Sequence, residues 1–463
     1  MSKTTHNMRT FYTLIFTQVF SLIGSKISGL AIGIWIFNDT GNATPLTLVS
    51  FFAVLPMVLA SSFSGVMADR WDRRYVMIVA DAGQAVGTVL LLASFTSGGF
   101  ELWHLYLITM VQSVFGVFQG PAFMASVTML VPDDKRDTAN SIQQLTQPAS
   151  NIVAPVITGM LYAVIGVEGS IMIDLATFVV AMVVVFSVHI PRPEVTAAGQ
   201  SERGSIWYES WTGLRWLRSN GTMFFIVIYI SLINFMIGGV MVLSIPYILA
   251  RTGSESTLGL LQGLTSFGAI LGAIIIGAWG GTRPRTFTIF PAIMVAGLFL
   301  MTAGLAQNAV VLGFAMFFFM LPLPMVNTLF ISIMQAKTPP DIQGRVFAVL
   351  GQMSMLLSPI AMLLAGPLAD NVFETAVGTS DWDVFAPLVG NEAGAGMGLM
   401  FVVAGAMVFV VSLLVFSRRN VRNVETLMPD YVPTVQPETE EHTPDDIRDD
   451  LPGLEPATGA TSA

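Results

Sequence analysis

Long apolar runs recur along the whole chain, and each is about as long as the hydrocarbon core of a membrane is thick. An α-helix rises about 1.5 Å per residue, so roughly twenty apolar residues cross a core of about 30 Å. Because the core contains no water to pair with the backbone groups, such runs must form helices, in which these groups pair with each other. The runs of this length are 11–37, 46–66, 75–96, 103–130, 140–165, 168–190, 222–249, 257–280, 287–306, 309–335, 345–369 and 395–417. We therefore predict an all-α membrane protein with twelve transmembrane helices.

The composition agrees with this fold class and excludes several others. Only 11% of the 463 residues are charged, against about 25% in soluble domains. The chain has no cysteine, and its histidines, His6, His104, His189 and His442, are scattered, so we expect no disulfide and no metal site. No G-x-x-x-x-G-K-[ST] or H-E-x-x-H pattern occurs, so we expect no enzyme activity and no cofactor. The first run is too long for a signal peptide and reads as a permanent span.

The spans divide into two sets of six separated by a polar stretch. This predicts an N-terminal six-helix bundle at 1–190, a cytoplasmic linker at 191–221, a C-terminal six-helix bundle at 222–420 and a tail at 421–463. In the linker, Trp207, Trp211 and Leu214 stand at i, i+4 and i+7, which fits either a short interfacial helix or a solvated connector. The segment 425–455 contains ten acidic residues, so we expect a disordered tail.

Basic residues are confined almost entirely to one side of the predicted membrane. Of the 21 lysines and arginines, 19 lie at the termini or in loops joining an even span to the next odd span, and the exceptions are Lys26 and Arg251. By the positive-inside rule, both termini are cytoplasmic. We therefore expect a multi-pass protein of the inner, or plasma, membrane.

The two halves repeat each other weakly. LVPDDKRDTAN before span five resembles KTPPDIQGRVF before span eleven, and a mid-helix proline follows each, Pro155 or Pro359. GVMADRWDRR after span two matches GAWGGTRPRT after span eight, where Arg73 aligns with Arg285 but Gly281 replaces Asp69. We predict two pseudo-symmetric bundles, with helix kinks at both prolines.

The chain resembles the major facilitator superfamily in two features. Its spans form two sets of six, and the motif G-x-x-x-D-R-x-x-R-R lies between spans two and three. The matching residues are Gly65, Asp69, Arg70, Arg73 and Arg74, while Asp72 stands where that motif usually has glycine. The resemblance implies a gating loop that stabilises the outward-open state. The positive-inside rule alone also explains why the loop between spans two and three is basic.

Other stretches resemble bacterial macrolide-efflux and enterobactin-exporter carriers, among them TQVFSLIGSKISGLAIGIWIFNDTGNATPL and GRVFAVLGQMSMLLSPIAMLLAGPLAD. This resemblance implies a secondary transporter that exports amphipathic small molecules, such as a macrolide-like drug or a siderophore, by proton-coupled antiport. An importer or facilitator of another solute, or a scaffold that uses the acidic tail, remains an alternative. We expect a monomer in the lipid bilayer, with a small-molecule substrate, protons as coupling ion and no nucleic acid.

Three charged residues within the spans are candidates for coupling, because a charge inside the membrane is costly and is usually functional. Lys26 is either a contact for an anionic group or part of a structural ion pair. Asp81 and Asp174 lie on spans that are peripheral in the resembled fold, so a helix-packing role competes with proton coupling at each. Asp370, at the outer end of span eleven, is either part of an extracellular gate or a solvated helix end, and we expect the latter.

Neutral polar residues define a candidate substrate cavity. On span five, SNIVAPVITG resembles part of the G-x-x-x-G-P-x-x-G-G element of proton-coupled drug antiporters, but Ser150, Ala154 and Thr158 replace three of its glycines. Packing of small residues explains the same stretch. The cavity candidates are Gln18, Ser25, Lys26, Gln112, Gln119, Gln147, Asn151, Asn234 and Asn327.

Overall fold

A computed structural model describes residues 8–70, 72–188, 206–340, 342–428 and 430–431 of the chain. Within these residues every regular element is a helix. The described part begins just before the predicted first span, and it leaves out residues 191–205 of the linker and residues 432–463 of the acidic tail. The prediction of a disordered tail therefore falls, for 432–463, outside the described residues.

The N-terminal half consists of five helices that follow the predicted spans. They are α1 (Met8–Thr40), α2 (Thr44–Arg70), α3 (Arg73–Thr96), α4 (Leu102–Leu130) and α5 (Arg136–Ser187). Helix α5 spans 52 residues and contains predicted spans five and six. They meet at Gly166, whose φ of 62° and ψ of −166° depart from the helix, a conformation that glycine adopts without strain.

The C-terminal half is more fragmented, although its sequence is equally apolar. After α6 (Ile206–Ser219) in the linker, its helices are α7 (Gly221–Met241), α8 (Ser244–Thr252), α9 (Glu255–Trp279), α10 (Thr286–Leu305), α11 (Ala309–Met320), α12 (Pro322–Lys337), α13 (Gln343–Met355), α14 (Ser358–Leu368) and α15 (Ala395–Ser417). Short helical turns occupy 369–389. Spans seven, ten and eleven are thus each divided into two helices.

Ten helical stretches of the described chain are long and apolar enough to cross a membrane. One of them, Thr138–Ser187, contains the two spans joined at Gly166, and a shorter apolar helix, Thr44–Ala60, occupies the place of span two. The membrane-helical fold is therefore confirmed, while the count of twelve spans stays a prediction.

Two pairs of helices join the halves, α5 with α9 and α2 with α14. In the predicted repeat, span two corresponds to span eight and span five to span eleven, so the pairs are related by the same pseudo-symmetry. We call the end of the bundle that holds residues 97–101, 253–254 and 369–394 the distal end. The proximal end holds Met8 and the end of α15.

The residues that follow α15 pack back onto the C-terminal half, in a segment, 419–431, that we call the strap. Glu425 pairs with Arg285 at 3.5 Å, and the Thr286 hydroxyl donates to the Arg422 carbonyl at 2.8 Å. Lys337, only 4% exposed, donates to the Glu425 carbonyl and to the Asp430 carboxylate, each at 2.9 Å. The strap buries Val421 and Val424, so ordered structure continues beyond residue 420, where we had placed the start of the tail.

Candidate transport site in the N-terminal half

A cavity of about 780 Å³ lies inside the N-terminal half, between α1, α2, α3, α4 and α5. Apolar side chains form most of its wall, and polar side chains meet on one side of it. The polar residues that line it include Ser25, Gln84, Thr88, Gln112, Gln147 and Asp174. Its volume falls within the range of pockets that bind small molecules, about 300–1,000 Å³.

Asp174, on the second part of α5, is the charged group of this cavity wall. Its side chain is buried, and its carboxylate accepts from the Ser25 hydroxyl at 2.8 Å and from the Thr88 hydroxyl at 3.2 Å. No lysine or arginine is among the described residues that line the cavity. The carboxylate is thus held by two neutral hydroxyl groups and faces an open volume.

Asp81, on α3, is the second buried carboxylate of the half. Its Oδ1 accepts from the Gln119 amide, while its Oδ2 is buried without a hydrogen-bond partner among the described residues. Gln119 is held in turn by Gln84, whose amide donates to the Gln119 Oε1 at 2.9 Å. Asp81, like Asp174, forms no ion pair with any described residue.

Hydrogen bonds to the side chain and to the backbone carbonyl of Gln84 lie between the two carboxylates. The Gln84 side chain donates to Gln119, next to Asp81, and the Gln112 amide donates to the Gln84 carbonyl at 2.9 Å and to the Thr88 hydroxyl at 3.1 Å. Thr88 then contacts Asp174. We call this set, Asp81–Gln119–Gln84–Thr88–Asp174, the polar network. It crosses the half with neutral groups between two acids.

Two members of the polar network, Gln84 and Thr88, are absent from the candidates chosen from the sequence. The signal was nevertheless present, because Asp81, Gln84 and Thr88 stand at i, i+3 and i+7 and so share one face of a helix. A search for polar residues at helical spacing from Asp81 finds both. By contrast, Ser25, Gln112 and Gln147 line the cavity among the predicted residues, as does Asp174.

Lys26 is not among the described residues that line this cavity. Gly33, seven residues later on the same face of α1, lies against Ile245 of the C-terminal half, and residues seven apart on a helix point the same way. Lys26 has no hydrogen bond or ion pair with another described residue. The face of α1 that carries Lys26 thus approaches the C-terminal half at Gly33, and Lys26 is not a member of the polar network.

The other predicted cavity residues lie in different surroundings. Gln18 accepts from Gln119 at 3.4 Å, at the edge of the polar network. The Asn151 carbonyl accepts from Ser266 at 2.9 Å across the two halves. Asn234 donates to the Ser354 carbonyl at 3.0 Å, just before the break in span eleven, and Asn327 is exposed on α12. These residues are spread over the bundle and do not form one site.

The two predicted kinks differ in the structure. Span eleven is interrupted between α13 and α14, directly before Pro359. Helix α5 continues through Pro155, and its helical geometry is lost only at Gly166. Around Pro155 the small residues pack closely: a Cβ on Gly259 of α9 would lie 2.4 Å from the Pro155 carbonyl oxygen and 3.0 Å from the Gly159 Cα.

The gating motif lies at the junction of α2 and α3 at the proximal end. Asp72 caps α3, accepting from the Arg74 amide at 3.0 Å, and the Arg74 guanidinium donates to the carbonyl of Phe186 at the end of α5. The side chains of Gly65, Asp69, Arg70 and Arg73 lie outside the described part. The gating role of the motif therefore stays a prediction.

At the distal end the halves are in contact, and Asp370 is one of the contacting residues. Its carboxylate accepts from the backbone amides of Ala43 at 2.8 Å and Thr44 at 2.7 Å. The expectation of a solvated helix end was therefore wrong, because the start of α2 covers this carboxylate. Asn38 and Glu255 make a second contact between the halves, at 3.2 Å.

Membrane-length helices in two joined halves, with a largely apolar cavity inside one of them, are the architecture of a multi-pass membrane transporter. The family model described as Major Facilitator Superfamily matches residues 14–363, and the chain belongs to this family. Macrolide efflux protein A of Streptococcus pyogenes is 28% identical over 372 residues, which cover 78% of this chain and 90% of that protein. The resemblance inferred from the sequence motifs is thereby confirmed.

Two further comparisons agree with this assignment. Multidrug efflux pump Tap of Mycolicibacterium fortuitum is 21% identical over 385 residues, covering 77% of this chain and 88% of that protein. The crystal structure of a bacterial homologue of the human lysosomal transporter Spinster, inward-facing and unoccupied, aligns with a TM-score of 0.67 at 14% identity. It covers 89% of this chain and 98% of that one, which shows a shared fold.

Proposed function

We propose that this chain exports amphipathic small molecules, such as macrolide-like drugs or siderophores, by alternating access in exchange for protons. The polar network carries the proposal, because it places two protonatable groups in the half that holds the cavity. The names of the efflux relatives support export over import. The proposed orientation puts both termini in the cytoplasm.

Proton exchange follows from the surroundings of the two carboxylates. An ionised carboxylate buried without a positive partner costs several kcal/mol, and a bound proton removes that cost. When water or a positively charged group reaches the cavity, the ionised form becomes acceptable again. Asp174 faces the cavity directly, so filling the cavity and binding a proton influence each other, and such influence is reciprocal.

The polar network also provides a way to connect the two acids. Gln84 and Gln119 are amides, each with donors and acceptors, and they bridge most of the separation between Asp81 and Asp174. A change at either carboxylate alters the hydrogen bonds available to the other. We assign to Asp174 the proton binding that responds to the contents of the cavity. We assign to Asp81, which lies nearer the gating motif along α3, the proton binding at the proximal side.

The test is accumulation of macrolides, fluorescent dyes and siderophores in a pump-deficient bacterial host, with and without a protonophore. We expect lower accumulation of at least one compound, with the effect lost when the protonophore is added. Asp174→Asn and Asp81→Asn should each reduce this export at least tenfold, at equal protein in the membrane. The matched control is Asp383→Asn, since Asp383 is an exposed acid at the distal end.

Each possible outcome is informative. Export that persists fully in both aspartate variants would refute proton coupling through the polar network. Higher accumulation than in cells without the protein would identify an importer. No change for any compound, with the protein confirmed in the membrane, would favour a scaffold, and a chain ending after Tyr431 would then test the acidic tail without disturbing the strap.

A further inference from the structure

Helices α2 and α14 come from opposite halves and pack against each other at the distal end. Helix α2 begins there at Thr44, and Asp370 follows directly after the end of α14. The two helices are antiparallel, so the carboxylate of one lies against the first turn of the other. Asp370 and Thr44 are 326 residues apart in the chain.

Both oxygens of the Asp370 carboxylate accept hydrogen bonds from groups at the start of α2. Oδ1 accepts from the Ala43 amide at 2.8 Å, and Oδ2 accepts from the Thr44 amide at 2.7 Å and from the Thr44 hydroxyl at 2.5 Å. The first amides of a helix have no partner within it, and that end carries partial positive charge. Hydrogen bonds to an ionised acceptor are stronger than those between neutral groups.

The surrounding packing makes this contact specific. Gly366, one turn before Asp370, lies so close to α2 that a Cβ there would be 2.6 Å from the Thr44 Cα. Thr47, one turn into α2, is 0% exposed. Nearby, the Ser256 hydroxyl donates to the Gly159 carbonyl at 2.9 Å, again between the halves. Thr47 is therefore inaccessible from water while the distal end is closed.

We propose that Asp370 is a latch, which holds the distal ends of the halves together and must release α2 once in every transport cycle. The gating motif places Asp69 at the other end of α2. The α2–α14 pair thus has an acid at the C-terminal end of each helix. In this proposal Asp370 stabilises the state that is closed at the distal end, and Asp69 the state that is closed at the proximal end. This inference is independent of the substrate and of the coupling ion.

The chain has no cysteine, so Thr47→Cys introduces a single thiol at the latched contact. The rate at which a charged maleimide alkylates this thiol reports opening of the distal end. Full-length protein in lipid nanodiscs exposes both membrane faces, so the measurement does not depend on orientation. It needs no substrate and no proton gradient, and its failure is therefore distinct from failure of the proposed export.

Adding Asp370→Asn to Thr47→Cys should raise the alkylation rate about tenfold, because the amide replaces one accepting oxygen with a donor that faces the α2 amides. Asp383→Asn, an exposed acid at the same end, should leave the rate unchanged. Thr44→Val removes one of the three hydrogen bonds and should give a smaller increase, of about threefold. It also serves as the test if Asp370→Asn does not yield folded protein.

All variants must react completely and equally after denaturation, which shows that the thiol itself is unchanged. A rate in Asp370→Asn equal to that in the parent, with the same result for Thr44→Val, would overturn the latch. An increase of the same size in Asp383→Asn would also overturn it, since the effect would then reflect charge at the distal end in general.

Discussion

Replacing Gly259 with alanine should separate the two halves where α5 and α9 cross. A Cβ at this position would lie 2.4 Å from the Pro155 carbonyl oxygen, and ordinary van der Waals contact begins at 3.4 Å. The helices must therefore move apart by 3.4 − 2.4 = 1.0 Å. The obstructing atoms belong to the backbone, so no side chain can rotate away to make room.

The size of the effect follows from two opposing contributions. Overpacking of this kind costs about 1–3 kcal/mol, and it acts only in the state in which the distal end is closed. Alanine is favoured over glycine inside a helix by about 0.5–1 kcal/mol, but that gain is the same in the closed and open states. The equilibrium should therefore move toward the open state by a factor of roughly 5–150.

The assay is again alkylation of Thr47→Cys in nanodiscs, supported by spin–spin distances between labels at Ser97 and Ser380, which are both exposed. The matched control is Gly277→Ala, because Gly277 lies on the same helix and has no atom within 4 Å of its would-be Cβ. We expect faster alkylation and a longer distance only for Gly259→Ala. Equal results for the two glycine variants would refute the argument from close approach.

Three further outcomes follow from the gating motif, the strap and the polar network. Asp69→Asn should sharply reduce transport with membrane insertion intact, as measured by efflux at equal expression. Lys337→Met should lower stability by about 2 kcal/mol, because the carbonyls of Glu425 and Met428 lose their donor. Asp430→Asn should cost under about 1 kcal/mol, since Asp430 is 70% exposed, and thermal unfolding in detergent measures both. Gln84→Leu should uncouple efflux from the proton gradient without loss of folded protein, as measured by protonophore sensitivity.

The strap contact also has a defined pH dependence. The hydrogen bond and the charge of Lys337 hold the pKa of the Asp430 carboxyl below its usual value. A group whose pKa is lowered by folding stabilises the folded state above its unfolded pKa, and this contribution is lost as the pH falls through the folded pKa. We therefore expect the difference between Asp430→Asn and the parent to shrink as the pH falls below about 4 and to disappear only below the lowered pKa of the folded protein, in thermal unfolding measured across that range.

The helices of this fold were predictable because their lengths are set by the membrane, and apolar composition reports that length directly. The breaks within spans were harder to predict. Pro322 and Pro359 stand at the start of α12 and α14 and signal those interruptions. Pro246, in the first turn of α8, is a similar signal for the turn at Val242 and Leu243, because it lacks the amide that would bond to the Val242 carbonyl. Proline alone is not a sufficient signal, since α5 continues through Pro155.

For the candidate site, features that depend on a single helix were predictable, whereas features that depend on contacts between helices were not. The buried acids were visible in the sequence as charges inside apolar runs. Their partners depend on which helix faces face each other, and one sequence does not contain that information. Asp370 shows the limit most clearly, because its partner Thr44 is hundreds of residues away and nothing local distinguishes a latch from a solvated helix end.

The divided spans make the two halves mechanically unequal, although their topology repeats. In the described N-terminal half each predicted span is one unbroken helix, whereas in the C-terminal half three spans are jointed, at 242–243, at 321 and at 356–357. The strap also ties α10 and α12 together at their proximal ends. We therefore expect the C-terminal half to bend at these three breaks during transport and the N-terminal half to move as a stiffer unit.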